Sequence, residues 1–146
     1  MKVAIGSDHG GYLLKEKIKS YLKEHEVKVV DYGTHSVESV DYPDFGEKVG
    51  HAVVEGDFDF GIVLCGTGIG ISIAANKVKG VRAALVYDNT TARLAKEHNN
   101  ANIIALGGRT TTYEQAISII NTFKDATYEP RHQQRLDKIS NIEGKE

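Results

Sequence analysis

The stretch Phe60-Gly61-Ile62-Val63-Leu64-Cys65-Gly66-Thr67-Gly68-Ile69-Gly70-Ile71-Ser72 changes character twice. An apolar run ends at a cysteine, three alternating glycines follow, and an alanine-rich helical pattern begins after them. This order is typical of a strand, a tight loop and a helix in a parallel α/β sheet. It predicts that the Cys65 thiol lies at a strand's carboxyl end, beside the unpaired N–H groups that open a helix. A nucleophile or base beside such donors suits carbon-acid chemistry at a carbonyl group.

The rest of the chain repeats this alternation of strand and helix. The apolar pattern predicts strands at 3–6, 27–31, 60–64, 81–86 and 103–106, and helices at 10–23, 43–53, 69–77, 89–97, 112–124 and 133–142. It therefore predicts an α/β fold, a three-layer α/β/α sandwich around a five-stranded parallel sheet of the Rossmann or flavodoxin-like kind. We expect one domain over residues 1–146. The last helix has a thin apolar stripe, which would pack on its own domain or on a neighbouring subunit.

Composition and charge narrow the class of protein. The chain has 146 residues, of which 40% are hydrophobic and 26% charged, and its formal net charge is −2. These values predict a soluble globular domain with no extended nucleic-acid surface. A lone cysteine cannot form an internal disulfide, so we expect a reducing, cytoplasmic setting. The sequence shows no secretory signal pattern and no apolar run near the roughly 18 residues of a membrane span.

Reactive side chains follow four of the predicted strands, at the sheet edge where α/β proteins bind ligands. Asp8 and His9 follow the first strand, Cys65 follows the third, and Arg109 follows the fifth; Asp88 follows the fourth. Each also has a structural interpretation. Asp8 could cap a helix, and Cys65 could be an inert core thiol. The glycines that follow Cys65 could serve simply to allow a tight turn.

The glycine loop has a further interpretation as a dinucleotide fingerprint. That fingerprint needs a third glycine where this chain has Ile71, so we favour a small anion over a nucleotide. His98 ends the fourth predicted helix, where a histidine could simply cap the carbonyl groups.

Arg131 and Arg135 are four residues apart, which predicts that both guanidiniums lie on one helical face. They could form a phosphate clamp or a solvated basic surface. The chain has no second cysteine and no H-x-x-x-H pair, so its spacing predicts no metal site.

Together these residues resemble the type B ribose-5-phosphate isomerases, within a wider family of sugar-phosphate isomerases that includes galactose-6-phosphate and allose-6-phosphate isomerases. The resemblance covers essentially the whole chain. Its motifs occur in the family's order: Ser7-Asp8-His9-Gly10-Gly11, Asp41-Tyr42-Pro43-Asp44, Cys65-Gly66-Thr67-Gly68-Ile69-Gly70, Ala74-Ala75-Asn76-Lys77, Glu97-His98-Asn99, Gly107-Gly108-Arg109 and Arg131-His132-Gln133-Gln134-Arg135.

The resemblance implies an aldose–ketose isomerase of the pentose phosphate pathway, with no metal or organic cofactor. It would interconvert D-ribose 5-phosphate and D-ribulose 5-phosphate through a cis-enediol or enediolate. The same chemistry on allose 6-phosphate or galactose 6-phosphate is the alternative, and a non-catalytic nucleotide-binding domain is a more distant one. The resemblance also implies a homodimer or homotetramer whose subunits share active sites.

The resemblance assigns roles to particular residues as well. Cys65 would be the base, His98 would help to open the sugar ring, and Thr67 would bond to Cys65 or to the substrate. The glycine loop would stabilise the developing negative charge on oxygen, and the arginines near the end of the chain would hold the phosphate. The implied substrate contacts are Asp8, His9, Tyr42, Gly66, Thr67, Gly68, Ile69, Gly70, Asn99, Arg109, Arg131 and Arg135.

Overall fold

Strands and helices alternate along the chain as the apolar periodicity predicts. The structure, a computed structural model, describes residues 1–144; positions 145 and 146 of the predicted domain lie outside the described residues. The elements are β1 (Lys2–Ser7), α1 (Tyr12–Glu24), β2 (Lys28–Asp31), α2 (Tyr42–Glu55), β3 (Phe60–Cys65), α3 (Ile69–Ala75), β4 (Ala83–Leu85), α4 (Asn89–Glu97), β5 (Ile103–Gly107), α5 (Tyr113–Asp125), a 3₁₀ turn (Pro130–His132) and α6 (Gln133–Gly144).

The five strands form one parallel sheet in the order β2-β1-β3-β5-β4. Helices α1, α4 and α5 cover one face, and α2 and α3 cover the other, so the predicted three-layer sandwich is confirmed. Compared with the flavodoxin order, the last two strands exchange places. Because β5 therefore pairs with β3, Gly107 lies in register with Cys65, and the loops that follow the two strands are neighbours.

Apolar spacing explains which helix faces are buried. In α1, Leu14, Ile18 and Leu22 recur every four residues, and all three pack in the larger of the two cores. Burial of each such side chain stabilises the fold by about 1.5–3 kcal/mol. Within residues 1–144, no helix has both the length and the apolar character that a bilayer crossing requires.

Strand β4 covers residues 83–85 and is shorter than the predicted 81–86, and side-chain amides bond to the backbone at its start. The Asn76 side chain donates to the Ala83 carbonyl at 2.9 Å and accepts from its N–H at 2.8 Å. Asn102 Oδ1 accepts the Arg82 N–H at 2.7 Å. These bonds hold the start of the edge strand, and α3 ends at Ala75 with Asn76 as its C-cap, not at residue 77 as predicted.

Helix α6 packs on its own chain only in part. Leu136 is buried, whereas Ile139 and Ile142 on the same helix remain exposed. The apolar stripe is therefore partly uncovered in a single chain, and packing against a neighbouring subunit stays a prediction.

Candidate active site

The sulfur of Cys65 lies where β3 turns into the glycine loop. Cys65 is only 5% exposed and packs in the smaller core, yet its Sγ accepts the backbone N–H of Gly68 at 3.1 Å. Gly68 has φ of +80°, which favours glycine, and a Cβ there would lie 2.9 Å from the Leu106 carbonyl carbon. The glycine thus allows the chain to fold its N–H back onto the sulfur.

Two amides of the loop already have partners. The Gly68 N–H donates to the sulfur, and the Ile69 N–H donates to Thr67 Oγ1 at 3.2 Å. The Thr67 hydroxyl oxygen therefore accepts a bond from its own loop, and its proton remains available to donate to Cys65 or to a substrate. Of the predicted oxyanion donors, the Gly68 and Ile69 amides are already bonded, so the Gly66, Thr67 and Gly70 amides are the stronger candidates for an incoming oxygen.

Asp8 lies in the turn before α1, and its carboxylate bonds to that turn; the N-cap of α1 is Gly11, without a side-chain cap, so the interpretation of Asp8 as a helix cap is wrong. The Asp8 N–H donates to the Leu64 carbonyl at 3.1 Å, which ties the end of β1 to β3. Its Oδ1 accepts the N–H groups of Gly10 and Gly11 at 2.8 and 3.2 Å, and the residue is buried. One carboxylate oxygen is thus fixed by backbone, which orients the whole group.

The ring of the neighbouring residue, His9, has one nitrogen fixed as an acceptor and the other as a donor. His9 Nδ1 accepts the Val40 N–H at 3.1 Å, so the neutral ring carries its proton on Nε2. His9 can therefore donate a hydrogen bond to an anionic or hydroxyl ligand through Nε2.

Arg109 and Tyr42 lie against the same loop. The N–H groups of Gly108 and Arg109 donate to the Cys65 and Gly66 carbonyls at 2.8 and 2.9 Å. A Cβ at Gly66 would lie 3.1 Å from Arg109 Nη1, so the guanidinium lies over that glycine. On the other side, a Cβ at Gly70 would lie 2.6 Å from the Tyr42 ring. A cation and an aromatic ring therefore flank the glycine loop.

The remaining predicted site residues form a second group at the opposite edge of the sheet: His98, Asn99, Arg131 and Arg135. Helix α4 starts after the carboxyl end of β4 and runs back for nine residues, about 13 Å at the usual helical rise. Its end leads into Asn102, whose N–H donates to the Arg82 carbonyl just before β4 begins. His98 and Asn99 thus lie at the amino edge, whereas Cys65 lies at the carboxyl edge, and one chain does not bring them together.

His98 occupies the C-cap position of α4, as its structural interpretation predicts, but its ring joins a polar cluster. The ring lies 4.3 Å from that of His132, centroid to centroid, and Nε2 is 3.7 Å from Glu129 Oε1. The Arg82 guanidinium donates to the Asn99 and Asn100 carbonyls at 3.2 and 2.9 Å. The segment after α4 is therefore held in place by an arginine.

Arg131 and Arg135 belong to this second group, but the prediction of one shared helical face is wrong. Arg131 lies in the 3₁₀ turn and pairs with Glu129 at 3.2 Å, whereas Arg135 lies in α6 with Nη1 3.0 Å from His132 Nδ1. The proline at residue 130 starts a tighter turn, so each guanidinium has its own partner.

Sequence spacing did not reveal that His98, Glu129 and His132 gather their ligand-type atoms within 4.8 Å of one another. A guanidinium only donates, so Arg135 makes His132 Nδ1 an acceptor and leaves the neutral ring's proton on Nε2. That nitrogen faces Glu129, and while protonated it cannot bind a metal. With two guanidiniums nearby, the cluster suits a carboxylate–histidine interaction better than a divalent cation.

Burial lowers the pKa of His132, and the charges of Arg131, His98 and Arg135 lower it further, outweighing the opposite effect of Glu129. Its Nε2 is buried and has no hydrogen-bond partner among residues 1–144. The ring is therefore held neutral near physiological pH.

Comparisons with known proteins place nearly the whole chain in one family. The family model described as Ribose/Galactose Isomerase matches residues 3–139. Ribose-5-phosphate isomerase B of Escherichia coli is 46% identical over 143 residues, which cover 97% of this chain and 96% of that protein. The structure of ribose-5-phosphate isomerase B from Clostridium thermocellum matches with a TM-score of 0.97 and 54% identity, over 99% of each chain. That of the Mycoplasma genitalium enzyme with bound ribulose-5-phosphate matches with a TM-score of 0.93 and 44% identity, over 99% of this chain and 97% of that one.

A family match over nearly the whole chain, and relatives this similar over nearly their full length, confirm the resemblance drawn from the motifs. The chain belongs to the Ribose/Galactose Isomerase family and is a sugar-phosphate isomerase.

Proposed function

We propose that this protein interconverts D-ribose 5-phosphate and D-ribulose 5-phosphate, with Cys65 as the base. The observation that carries the proposal is the contact between the Gly68 N–H and the Cys65 sulfur, at the meeting point of the β1, β3 and β5 ends. A donor aimed at sulfur stabilises negative charge there, as a thiolate base requires. The relatives' names and the ribulose-5-phosphate bound to the Mycoplasma protein support the substrate class.

The proton transfer needs one base that serves two adjacent carbons. The Cys65 thiolate takes the proton from C2 of the open-chain aldose, and the electrons move to give an enediolate with negative charge on O1. The thiol then returns the proton to C1, while the O2 proton passes to O1 and C2 becomes the carbonyl carbon. Because charge develops on oxygen in the transition state, the Gly66, Thr67 and Gly70 amides, which have no partner among residues 1–144, contribute most at that point.

The residues around the loop bind and orient the sugar. Asp8 Oδ2, whose partner oxygen is fixed by two backbone N–H groups, accepts a sugar hydroxyl. His9 donates through Nε2, and the Arg109 guanidinium supplies positive charge over the glycine loop. Tyr42 covers one side of the loop and limits water access.

A second copy of the chain completes the site in this proposal. His98, Asn99, Arg131 and Arg135 of one subunit meet Cys65 of the other, because their own chain holds them at the opposite sheet edge. There His98 opens the sugar ring and the two arginines hold the phosphate, whose binding energy positions the sugar over the base. Exposed apolar side chains at the Cys65 end support such an interface: Ile69, Ile73, Leu85 and Tyr87.

The mechanism requires a reduced thiol and uses no metal or organic cofactor. A lone cysteine in a reducing compartment such as the cytoplasm meets that requirement. The second candidate is the same reaction on a hexose 6-phosphate, because the family description covers galactose as well as ribose. A nucleotide-binding role is less well supported, since Ile71 is fully buried and the Tyr42 ring lies on Gly70, where a dinucleotide's phosphates would approach.

The test is a coupled assay of the whole protein with EDTA present. Ribose 5-phosphate, allose 6-phosphate and galactose 6-phosphate are compared at matched concentrations. The proposal expects the highest kcat/KM with ribose 5-phosphate and no loss with EDTA. A higher value with a hexose phosphate, or activity lost to EDTA and restored by a divalent cation, would contradict it.

A further inference from the structure

Glu129 is anchored to the segment that carries His98. Its backbone N–H donates to the carbonyl of Glu97, the last residue of α4, at 2.9 Å. Its own carbonyl accepts the N–H of His132, which closes the 3₁₀ turn. The Glu129 carboxylate is thus held next to His98 by main-chain bonds, although the two residues are far apart in the sequence.

A single carboxylate oxygen of Glu129 faces three protonated or protonable groups. Oε1 lies 3.2 Å from Arg131 Nη2, 3.6 Å from His132 Nε2 and 3.7 Å from His98 Nε2. Arg131 is a permanent cation, so its protonation cannot change. The carboxylate can therefore influence the protonation only of His98 and His132.

The His132 ring is already fixed by Arg135. The guanidinium 3.0 Å from Nδ1 can only donate, so the neutral ring keeps its proton on Nε2. His132 therefore serves as a neutral wall against which the His98 ring packs. His98, which is more exposed than His132, is the ring whose state Glu129 can set.

We propose that Glu129 is a positioning residue: its carboxylate, 3.7 Å from His98 Nε2 and one small side-chain movement from a hydrogen bond, favours the His98 tautomer with its proton on Nε2 and leaves Nδ1 as the base for the sugar. The inference rests on the proposed role of His98 in ring opening. In that step Nδ1 accepts the proton of the anomeric O1 hydroxyl, the bond between C1 and the ring oxygen breaks, and C1 becomes a carbonyl carbon. The imidazolium then returns the same proton to the former ring oxygen. The Glu129 carboxylate stabilises the imidazolium between the two transfers.

The direct test reads the His98 tautomer in the whole protein without substrate, by two-bond proton–nitrogen NMR correlation on histidine labelled with ¹⁵N, at a pH where the ring is neutral. The wild type should show His98 protonated on Nε2 alone. Glu129→Ala should show an averaged signal from both tautomers. Glu97→Ala is the matched control, since it removes a neighbouring carboxylate that pairs with Arg93 at 2.8 Å, and it should leave the signal unchanged.

Kinetics give a second readout. Glu129→Ala should lower kcat for ribose 5-phosphate roughly 10- to 100-fold, the usual range for a group that orients a histidine, with little change in KM. Glu97→Ala should have the kcat and KM of the wild type. Both variants should also unfold at the wild-type temperature. A Glu129→Ala protein whose His98 keeps the pure Nε2–H tautomer, or whose kcat is unchanged, overturns the inference. A wild type that turns over no ribose 5-phosphate would overturn the proposed function instead, while the tautomer measurement would still decide the position of the His98 proton.

Discussion

The backbone N–H of Gly68 points at the sulfur of Cys65, 3.1 Å away. The bond depends on the left-handed backbone of Gly68, and Leu85 and the Leu106 carbonyl surround the place where a side chain would be. The glycine therefore does more than permit a turn, because it turns an otherwise unpaired amide into a donor for the proposed thiolate.

Gly68→Ala should damage both stability and activity. The left-handed conformation alone costs an alanine about 1–2 kcal/mol, and the added Cβ would press on Leu106. Displacement of the loop should move the N–H away from Cys65 and lower kcat. Gly80→Ala is the matched control, because Gly80 also has a positive φ of +90° but lies away from the sulfur, near Val54. Urea unfolding should show both variants destabilised, with kcat reduced only in Gly68→Ala. Equal activity in the two variants would refute the role given to the Gly68 amide.

Arg135→Ala should chiefly raise KM for ribose 5-phosphate, as expected when phosphate binding is lost. A charge-assisted hydrogen bond contributes about 1.5–3 kcal/mol, which corresponds to a rise of at least tenfold. Lys138→Ala removes an exposed cation from the same helix and should leave KM near the wild-type value. Steady-state kinetics on the three proteins checks this, and an unchanged KM for Arg135→Ala would show that the arginine does not hold the phosphate.

A shared site predicts complementation between two inactive variants. Cys65→Ala and His98→Asn should each be inactive alone, because every site lacks one essential group. In a mixed dimer, one site carries both changes and the other carries neither. Co-expression of the two variants should therefore restore about a quarter of the wild-type activity per subunit. No recovery in verified mixed dimers would mean that Cys65 and His98 do not act across an interface.

The ion pair between Lys15 and Asp31 makes a prediction about stability and pH. Lys15 has a side chain with 0% exposure, and its Nζ lies 2.6 Å from Asp31 Oδ2. Burial raises the pKa of Asp31, but hydrogen bonds from Lys15, Lys19 and the Gly33 N–H outweigh it, so the pKa lies below its usual value. The resulting stability is fully present above the unfolded-state pKa of about 4 and is lost as the pH falls through the folded-state value.

Asp31→Asn should therefore lower the free energy of unfolding by up to about 3–5 kcal/mol at pH 7, since it leaves the buried Lys15 with only the more exposed Glu16 as a partner. Glu16→Gln removes a more exposed partner of the same lysines and should cost less than about 1 kcal/mol. Urea unfolding at pH 7 and pH 3 should show the difference between wild type and Asp31→Asn shrinking at the lower pH. A difference that grows on acidification would contradict the assignment.

The sequence predicted local structure and the residues at strand ends well, because both depend on neighbours along the chain. The position of Cys65 at the end of β3 and the layered parallel sheet are confirmed. The interior position of β5 was not predicted, since strand order depends on which helices pack together and not on any local pattern. That order is what brings Arg109 over Gly66.

The grouping of Glu129 with His98 was also missed, because it joins two segments about thirty residues apart, by way of a hydrogen bond between main-chain atoms. Glu129 belongs to no recognisable motif, and nothing in the sequence singled out His132 from the two arginines that flank it. A carboxylate shortly before an Arg-His pair was the one available signal, and it is too common to predict a contact with a distant helix end.

The most direct test of the central claim follows deuterium from solvent into C1 of D-ribulose 5-phosphate, which is already open-chain and needs no ring opening. We expect rapid exchange with the wild type, and exchange retained in His98→Asn although that variant forms little ribose 5-phosphate. Cys65→Ala should lose both exchange and turnover by roughly 10²- to 10⁴-fold, the usual contribution of a general base, while still binding the sugar phosphate. Exchange at the wild-type rate in Cys65→Ala would show that another group removes the proton, and the account of this site would be wrong.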